Sequence, residues 1–347
     1  VLTGCDVPLN RHFDLAMLDL DGVVYVGDTA VPGAAGAILD ARAAGMAVAF
    51  ITNNASRPPE RVAAHLTELG IPAAGPDVVT SAQAAARLVV DRFGEGARAV
   101  CLGGDGLRAA LVALGVRPVG AQEEADVLVT GYGPEVRWRD IMTAAVRIGD
   151  GLPWVASNTD HTIPTPAGIA PGHGVLVQTL STFAGVRPVV AGKPERPLLD
   201  ETVRRMGGRR PLMVGDRLDT DIEGARRVGV PSLLVLTGVT GRAELLAAAP
   251  EARPSFLAAG LGGLATVHRA PRADAGGWRC GAWVATVDRG RLLVQTAPSR
   301  QLLAGDDGDP LDAWRACAAA AWEHQDHTGE VPDIGDLTLP DDGRGGR

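Results

Sequence analysis

Short apolar runs, each too brief for a helix and each ending at a polar residue or glycine, alternate along this chain with longer segments of helical period. That alternation constrains the fold more than any other feature, because buried strands joined by helices form a parallel sheet with helices packed on its faces. Strands are expected at 15–18 and 47–51, with helices at 34–44 and at 59–69, the second closed by Gly70. Further strands at 188–191, 212–214 and 232–236, separated by helices at 198–206 and 221–228, read as the same sheet resumed. Between the two halves lies a second set, with strands at 99–102, 127–129 and 154–156 and helices at 107–114, 139–148 and 175–183. A single core holding all of these would be larger than cores usually grow, so the second set reads as an inserted domain.

The fold class is therefore α/β: a Rossmann-like parallel-sheet core at 1–80 and 186–268, an α/β insertion at 81–185, and a small α+β C-terminal extension at 269–347. The extension opens on the linker-like PRADAGG and continues with strand-like runs at 283–287 and 291–296 and a helix at 311–322. The last sixteen residues, PDIGDLTLPDDGRGGR, carry no apolar period and are expected to be flexible.

A chain of 347 residues has ample length for a full core, which excludes a small scaffold stapled by disulfides. Its formal net charge of −8 provides no general attraction for nucleic acid or an anionic membrane. No apolar stretch approaches the length of a membrane span, the opening VLTGCDVPLNRHFD lacks the layout of a signal peptide, and no CxxC pair occurs among Cys5, Cys101, Cys280 and Cys317. These features point to a cytoplasmic protein with free thiols, with no nucleic-acid partner and no membrane insertion. One residue stands out: of 33 basic side chains only Lys193 is lysine. Arginine substitutes easily for lysine on a solvated surface, and poorly where a compact ammonium must fit.

Four motifs fall at strand ends, where ligands bind in open parallel sheets. Asp19-Leu20-Asp21-Gly22 follows the first strand and presents two carboxylates in one general direction beside a glycine that permits a sharp turn. Such a pair can divide labour, one carboxylate staying ionised as nucleophile and metal ligand, the other serving as acid and base. Thr52-Asn53-Asn54 brings a hydroxyl, an amide and successive backbone N–H groups suited to an anion. Read alone, this segment is equally an ordinary loop in which Asn54 or Ser56 caps the next helix. Gly192-Lys193-Pro194 places the sole lysine at a strand end, and Asp216 opens the segment GDRLDTD, in which Asp219 or Thr220 could cap a helix. Carboxylates without His or thiolate partners suit Mg²⁺.

In combination, DLDGVVY, TNNAS, GKP and GDRLDTDI resemble, in order and placement, the motifs of the haloacid-dehalogenase superfamily of phosphohydrolases, in its NagD-like branch with a large α/β cap. The resemblance covers about residues 12–265. It implies that Asp19 is the nucleophile that takes the phosphoryl group and that Asp21 is the general acid and base. It also implies that Gly22, Thr52, the Asn53 backbone and Lys193 hold phosphate, and that Mg²⁺ sits among Asp19, Asp21 and Asp216, with Asp221 as an outer ligand. The cap stretch Ala156-Ser157-Asn158-Thr159-Asp160, with His161 and the later Pro171-Gly172-His173-Gly174, is similar to the branch's loop over the core site, making Asn158, Asp160 and His161 candidate substrate contacts. One departure is Gly131-Tyr132-Gly133, where relatives often carry an acidic residue after Gly-Tyr.

The expected activity is Mg²⁺-dependent hydrolysis of a small phosphorylated metabolite through an aspartyl-phosphate. Residues 158–174 contain no Arg or Lys to anchor a carboxylate, so a neutral polyol phosphate is favoured, glycerol 3-phosphate first, ahead of phosphoglycolate and pyridoxal phosphate. The reading from another class is a catalytically idle binding or assembly module. The C-terminal strands and helix faintly resemble part of an acetyltransferase fold but lack its pyrophosphate-binding loop, so they are expected to support the cap or form a homo-oligomer contact.

Overall fold

The computed structural model describes residues 2–165, 168–274, 276–296, 309–335 and 337, so most of the tail at 332–347 lies outside the described residues. The chain divides into two compact units, Val1–Val48 with Gly208–Arg347, and Ala49–Gly207.

In the first unit the strands Phe256–Ala258, Ser232–Val235, Pro211–Gly215 and Leu15–Leu18 lie side by side in that order, all parallel. Leu15–Leu18, Ser232–Val235 and Phe256–Ala258 are buried throughout, as strands covered on both faces must be. Parallel direction forces every strand to end on the same edge, so the residues following Leu18 and Gly215 emerge together. The strand Ala47–Thr52 opens in this unit, its first N–H bonded to the Asp14 carbonyl at 2.9 Å, and continues into the second.

The extension belongs to this first unit. Four antiparallel strands, Arg272–Asp274, Gly277–Cys280, Trp283–Asp288 and Arg291–Thr296, form a sheet against the helix Pro310–Thr328. Asp309 caps that helix by accepting the Leu311 N–H at 3.0 Å, and residues 312–322 are buried on every side. A helix buried all round must be covered by more than one layer. Here Trp314, Ala318 and Trp322 share one apolar cluster with Leu234, Leu245 and Leu257 of the parallel-sheet region and with Cys280, Ala285 and Leu292 of the antiparallel sheet.

The second unit holds the pair Ala47–Thr52 and Val78–Thr80, and a five-stranded parallel sheet in the order Val189–Val190, Trp154–Ala156, Val127–Thr130, Arg98–Leu102, Arg117–Val119. Helices Ser81–Phe93, Asp105–Ala113, Trp138–Gly149, His173–Ala184 and Arg196–Met206 accompany them. A hairpin, Thr162–Thr165 with Gly168–Pro171, interrupts the alternation. The strand expected at 188–191 is a correction: it pairs with the strand Trp154–Ala156, Val189 opposite Val155, and not with the sheet of Leu15–Leu18. An apolar run shows that a segment is a strand but not which neighbour it hydrogen-bonds.

Trp314, 1% exposed at the centre of the cluster that joins extension to parallel sheet, supplies a direct check. Trp314→Ala is expected to cost about 3–5 kcal/mol, read as a lowered midpoint in urea unfolding.

Candidate active site

Within the first unit the turn after Leu18 is set by Gly22, at φ +81°. The Gly22 N–H bonds the Tyr25 carbonyl at 2.8 Å and the Val24 N–H the Leu20 carbonyl at 2.9 Å. A side chain at Gly22 would collide with the carboxylate of Asp216, so glycine is required twice over, by backbone and by space. Asp19 is half-buried, its N–H bonded to the Val214 carbonyl at 2.9 Å, while Asp21 is exposed.

Asp216 and Asp221 are fully buried. A collar grips Asp216: the Val239 N–H donates to its Oδ2 at 2.6 Å, the Thr240 N–H to its carbonyl at 3.2 Å, and Gly238 lies too close to admit a Cβ. From the same loop the Thr237 hydroxyl donates to the Gly22 carbonyl at 2.6 Å, tying collar to turn. Asp221 sits in a wide helical turn at Leu218–Ile222 and accepts the Arg217 N–H at 3.1 Å. Asp219 points outward to Arg217, at 2.8 Å.

Carboxylate oxygens of Asp19, Asp216 and Asp221 lie within 4.8 Å of one another, and Asp21 is not among them. Three like charges so placed, two of them out of water, repel strongly unless a cation joins them. An all-oxygen, hard donor set of this kind fits Mg²⁺ or Ca²⁺. Sequence reading missed the collar, although the run LTGVT directly after the strand Ser232–Val235 places a Gly-containing turn at the right sheet edge.

The second unit assembles the other motifs around one amide. Asn53 Nδ2 donates to Asp160 Oδ1 and to the Lys193 carbonyl, both at 3.0 Å, while Asn53 Oδ1 accepts the Lys193 N–H at 2.8 Å. Its carbonyl accepts Asn158 Nδ2 at 2.7 Å and the Ser81 hydroxyl. Thr52, Asn53, Asn158 and Lys193 are all buried. Gly192 lets this approach happen, since a Cβ there would stand 2.6 Å from Asn53 Oδ1. Asn158 faces inward as part of this frame, Asp160 is half-buried, and His161 is exposed. Neither Asn54 nor Ser56 caps the following helix, whose N-cap is Pro58; instead Asn54 Oδ1 accepts the Ser56 N–H at 2.8 Å. After Gly131-Tyr132 this chain has no room for a side chain: a Cβ at Gly133 would lie 2.7 Å from the Gly103 carbonyl carbon.

His173 begins the helix His173–Ala184 and is 3% exposed. Its Nδ1–H donates to the Asn158 carbonyl at 2.9 Å, and Nε2 is buried with no hydrogen-bond partner among the described residues. Burial outweighs that hydrogen bond and pulls the imidazole down to about 4.

Comparison with known proteins decides the lineage. Residues 16–117 match the family described as haloacid dehalogenase-like hydrolase, and residues 190–264 match a second description of the same group. A D-glycerol 3-phosphate phosphatase of Mycobacterium tuberculosis is 42% identical over 315 residues, spanning 90% of this chain and 87% of that protein. The chain belongs to the haloacid dehalogenase-like hydrolases. Crystal structures of a glycerol phosphate phosphatase from the same organism superpose with TM-scores of 0.83, in complex with calcium, and 0.82, in complex with magnesium. The calcium complex is 38% identical and covers 96% of this chain and 93% of that one; the magnesium complex is 39% identical and covers 92% and 93%. A 4-nitrophenylphosphatase from Thermotoga maritima follows at a TM-score of 0.69 and 28% identity, covering 74% of this chain and 98% of its own.

Two expectations follow for this hydrolase. Asn53→Asp keeps the shape but turns the donor facing Asp160 Oδ1 and the Lys193 carbonyl into an acceptor, so kcat/KM for an aryl phosphate should fall about 10²-fold with the circular dichroism unchanged. An unaltered kcat/KM would remove this network from the reaction. For His173, the unfolded chain gains a proton below about 6.5 and the folded chain only below about 4, so the unfolded state holds more protons between those values. Stability should therefore fall as pH drops through that window, by on the order of 3 kcal/mol in all. His173→Asn, which retains a donor for the Asn158 carbonyl, should show a flatter pH dependence in urea unfolding between pH 7 and 5.

Proposed function

We propose that this protein is a Mg²⁺-dependent phosphatase of small phosphorylated metabolites, with glycerol 3-phosphate as its substrate, working through a phosphoryl group carried on Asp19. The observation that carries the reading is the carboxylate cluster of Asp19, Asp216 and Asp221 at the end of parallel strands, within 4.8 Å of one another. The choice of substrate is supported by likeness to the mycobacterial D-glycerol 3-phosphate phosphatase along 90% of this chain. It is also supported by a cap loop, 158–174, that offers Asp160, His161, Thr162 and Thr165 but no Arg or Lys, Asn158 being taken up in the frame around Asn53. Such groups suit hydroxyls better than a carboxylate.

In this mechanism Asp19 attacks phosphorus in line, displacing the alcohol oxygen. Asp21 lies exposed beside it in sequence and protonates the departing alkoxide; it then takes a proton from the water that cleaves the aspartyl-phosphate, so one difficult displacement becomes two easier ones. Asp216 and Asp221, with Asp19, would hold the Mg²⁺, which when bound neutralises charge on the phosphoryl oxygens. Thr52, the Asn53 backbone N–H and the Lys193 ammonium receive the remaining phosphate oxygens, and Gly22 leaves room beside the nucleophile. All four cysteines are free thiols and no helix among the described residues is long and apolar enough to cross a membrane, which supports a cytoplasmic setting.

Turnover of glycerol 3-phosphate, phosphoglycolate and pyridoxal 5′-phosphate at one Mg²⁺ concentration, with and without chelator, tests the assignment. The highest kcat/KM is expected for glycerol 3-phosphate, with loss of turnover on chelation; preference for either competitor would overturn the polyol assignment alone, and no turnover of any ester would overturn the activity. Asp19→Asn should abolish phosphoenzyme formation. Asp21→Asn should slow hydrolysis of the alkyl ester by about 10²–10⁴-fold and of an aryl ester much less, because a phenolate leaves with little protonation.

A further inference from the structure

We propose that the C-terminal helix Pro310–Thr328 is a brace for the metal site: by gripping the short helix Arg242–Leu246, it fixes the loop 237–241 that holds Asp216. The inference rests on the reading of Asp19, Asp216 and Asp221 as the Mg²⁺ site and assigns the extension a positioning role toward it.

The path is short and continuous. The strand Ser232–Val235 ends in the buried Leu236, the collar residues Thr237, Gly238, Val239 and Thr240 follow, and Gly241 leads at once into the helix Arg242–Leu246. Collar contacts to Asp216 are hydrogen bonds of fixed direction, so their quality depends on where both ends of the loop are held. The strand holds one end. At the other, the Arg242 guanidinium lies 4.8 Å from the centre of the Trp314 ring, and the Trp322 indole N–H donates to the Leu245 carbonyl at 2.9 Å. Helix Arg242–Leu246 has only five residues and no side-chain cap, too little to hold its own conformation without packing. Its buried Leu245 and Leu246 lie in the same apolar cluster as Trp314 and Trp322.

The second buried ligand is tied to that cluster as well. Ile222, next to Asp221, is fully buried within it, and Leu218 packs against it from the first residue of the same turn. Arg315 donates to the Leu257 carbonyl at 3.0 Å, and Arg253 reaches both the Ala248 carbonyl, at 3.0 Å, and Asp326, at 2.8 Å. The extension helix is thus bonded to backbone on several elements around the loop. Outer contacts of this kind set how well ligands are pre-positioned, and pre-positioning appears as metal affinity.

The test uses the full chain and measures Mg²⁺ binding without substrate, by calorimetry and by the rise in melting temperature with added Mg²⁺, alongside kcat at saturating Mg²⁺. Trp322→Phe keeps an aromatic ring and removes the bond to Leu245, and Arg242→Gln removes the cation over Trp314. Each should raise the Mg²⁺ dissociation constant by about 3- to 10-fold, below the 10–100-fold typical when a ligand's direct partner is removed, with kcat at saturation within about twofold of the parent. Thr240→Val, which removes a hydroxyl donor to the Asp216 carbonyl, should weaken binding further. Leu180→Ala, a cavity in a separate apolar cluster of the second unit, should lower the melting temperature and leave Mg²⁺ affinity unchanged. Wild-type affinity in both Trp322→Phe and Arg242→Gln, or an equal loss in Leu180→Ala, would overturn the brace. Absence of Mg²⁺ binding by the parent, or undiminished binding by Asp216→Asn, would instead overturn the metal-site reading beneath it.

Discussion

Gathering like charges is the constraint around which the first unit is organised. Asp19, Asp216 and Asp221 come from two adjacent strands and the turn that follows one of them, and two of the three are wholly buried. Folding alone does not favour this arrangement, since each carboxylate gives up water and meets a negative neighbour. What offsets the cost is direction: parallel strands deliver all three to one edge, and N–H groups of Val239 and Arg217 reach the buried oxygens. The glycines at 22 and 238 follow from the same demand, because they are positions where any side chain would displace Asp216.

The second unit solves a different problem, holding a buried ammonium and a loop with a single neutral hub. Asn53 is suited to this because an amide donates and accepts at once, here to Asp160 and the Lys193 carbonyl and from the Lys193 N–H. A carboxylate or a hydroxyl at that position would satisfy only part of the set. Lysine at 193 then follows from its setting: main chain pinned from both sides and 2% exposure leave little room for a planar guanidinium. That is a physical account of why a chain so biased toward arginine keeps one lysine.

Features carried by period and local chemistry were legible in the sequence. The buried strand Leu15–Leu18, the helices beside it and the strand-end position of Asp19 and Asp216 all follow from apolar run length and the residues that interrupt it. Pairing was not legible, because Val189 and Val190 look the same whichever sheet they join. The strand Val78–Thr80 was too short to register, yet the helix after it carries a written start signal, the reciprocal capping of Thr80 and Gln83. The Asn53 hub escaped notice because its partners stand 107 and 140 positions away, and nothing local marks a side chain that satisfies distant backbone. The sequence PGHG places His173 in a cap loop; its burial against Asn158 is a tertiary fact.

The extension is where local and global logic meet. A similar phosphatase from Thermotoga maritima is matched along 98% of its length while leaving about a quarter of this chain unmatched, so that protein does without a segment of this size. In this chain the addition is not detachable. The helix Pro310–Thr328 is buried on every side from 312 to 322, its two charged residues there, Asp312 and Arg315, paired with each other, which would be untenable for an appendage, and it shares one core with Leu234, Leu245 and Leu257. Once a sheet face is apolar enough to need a cover, the cover becomes part of what holds the loops at that face. Loops at the strand ends are where ligands bind in open parallel sheets, so a piece of chain far from Asp216 in sequence acquires a physical means of acting on it.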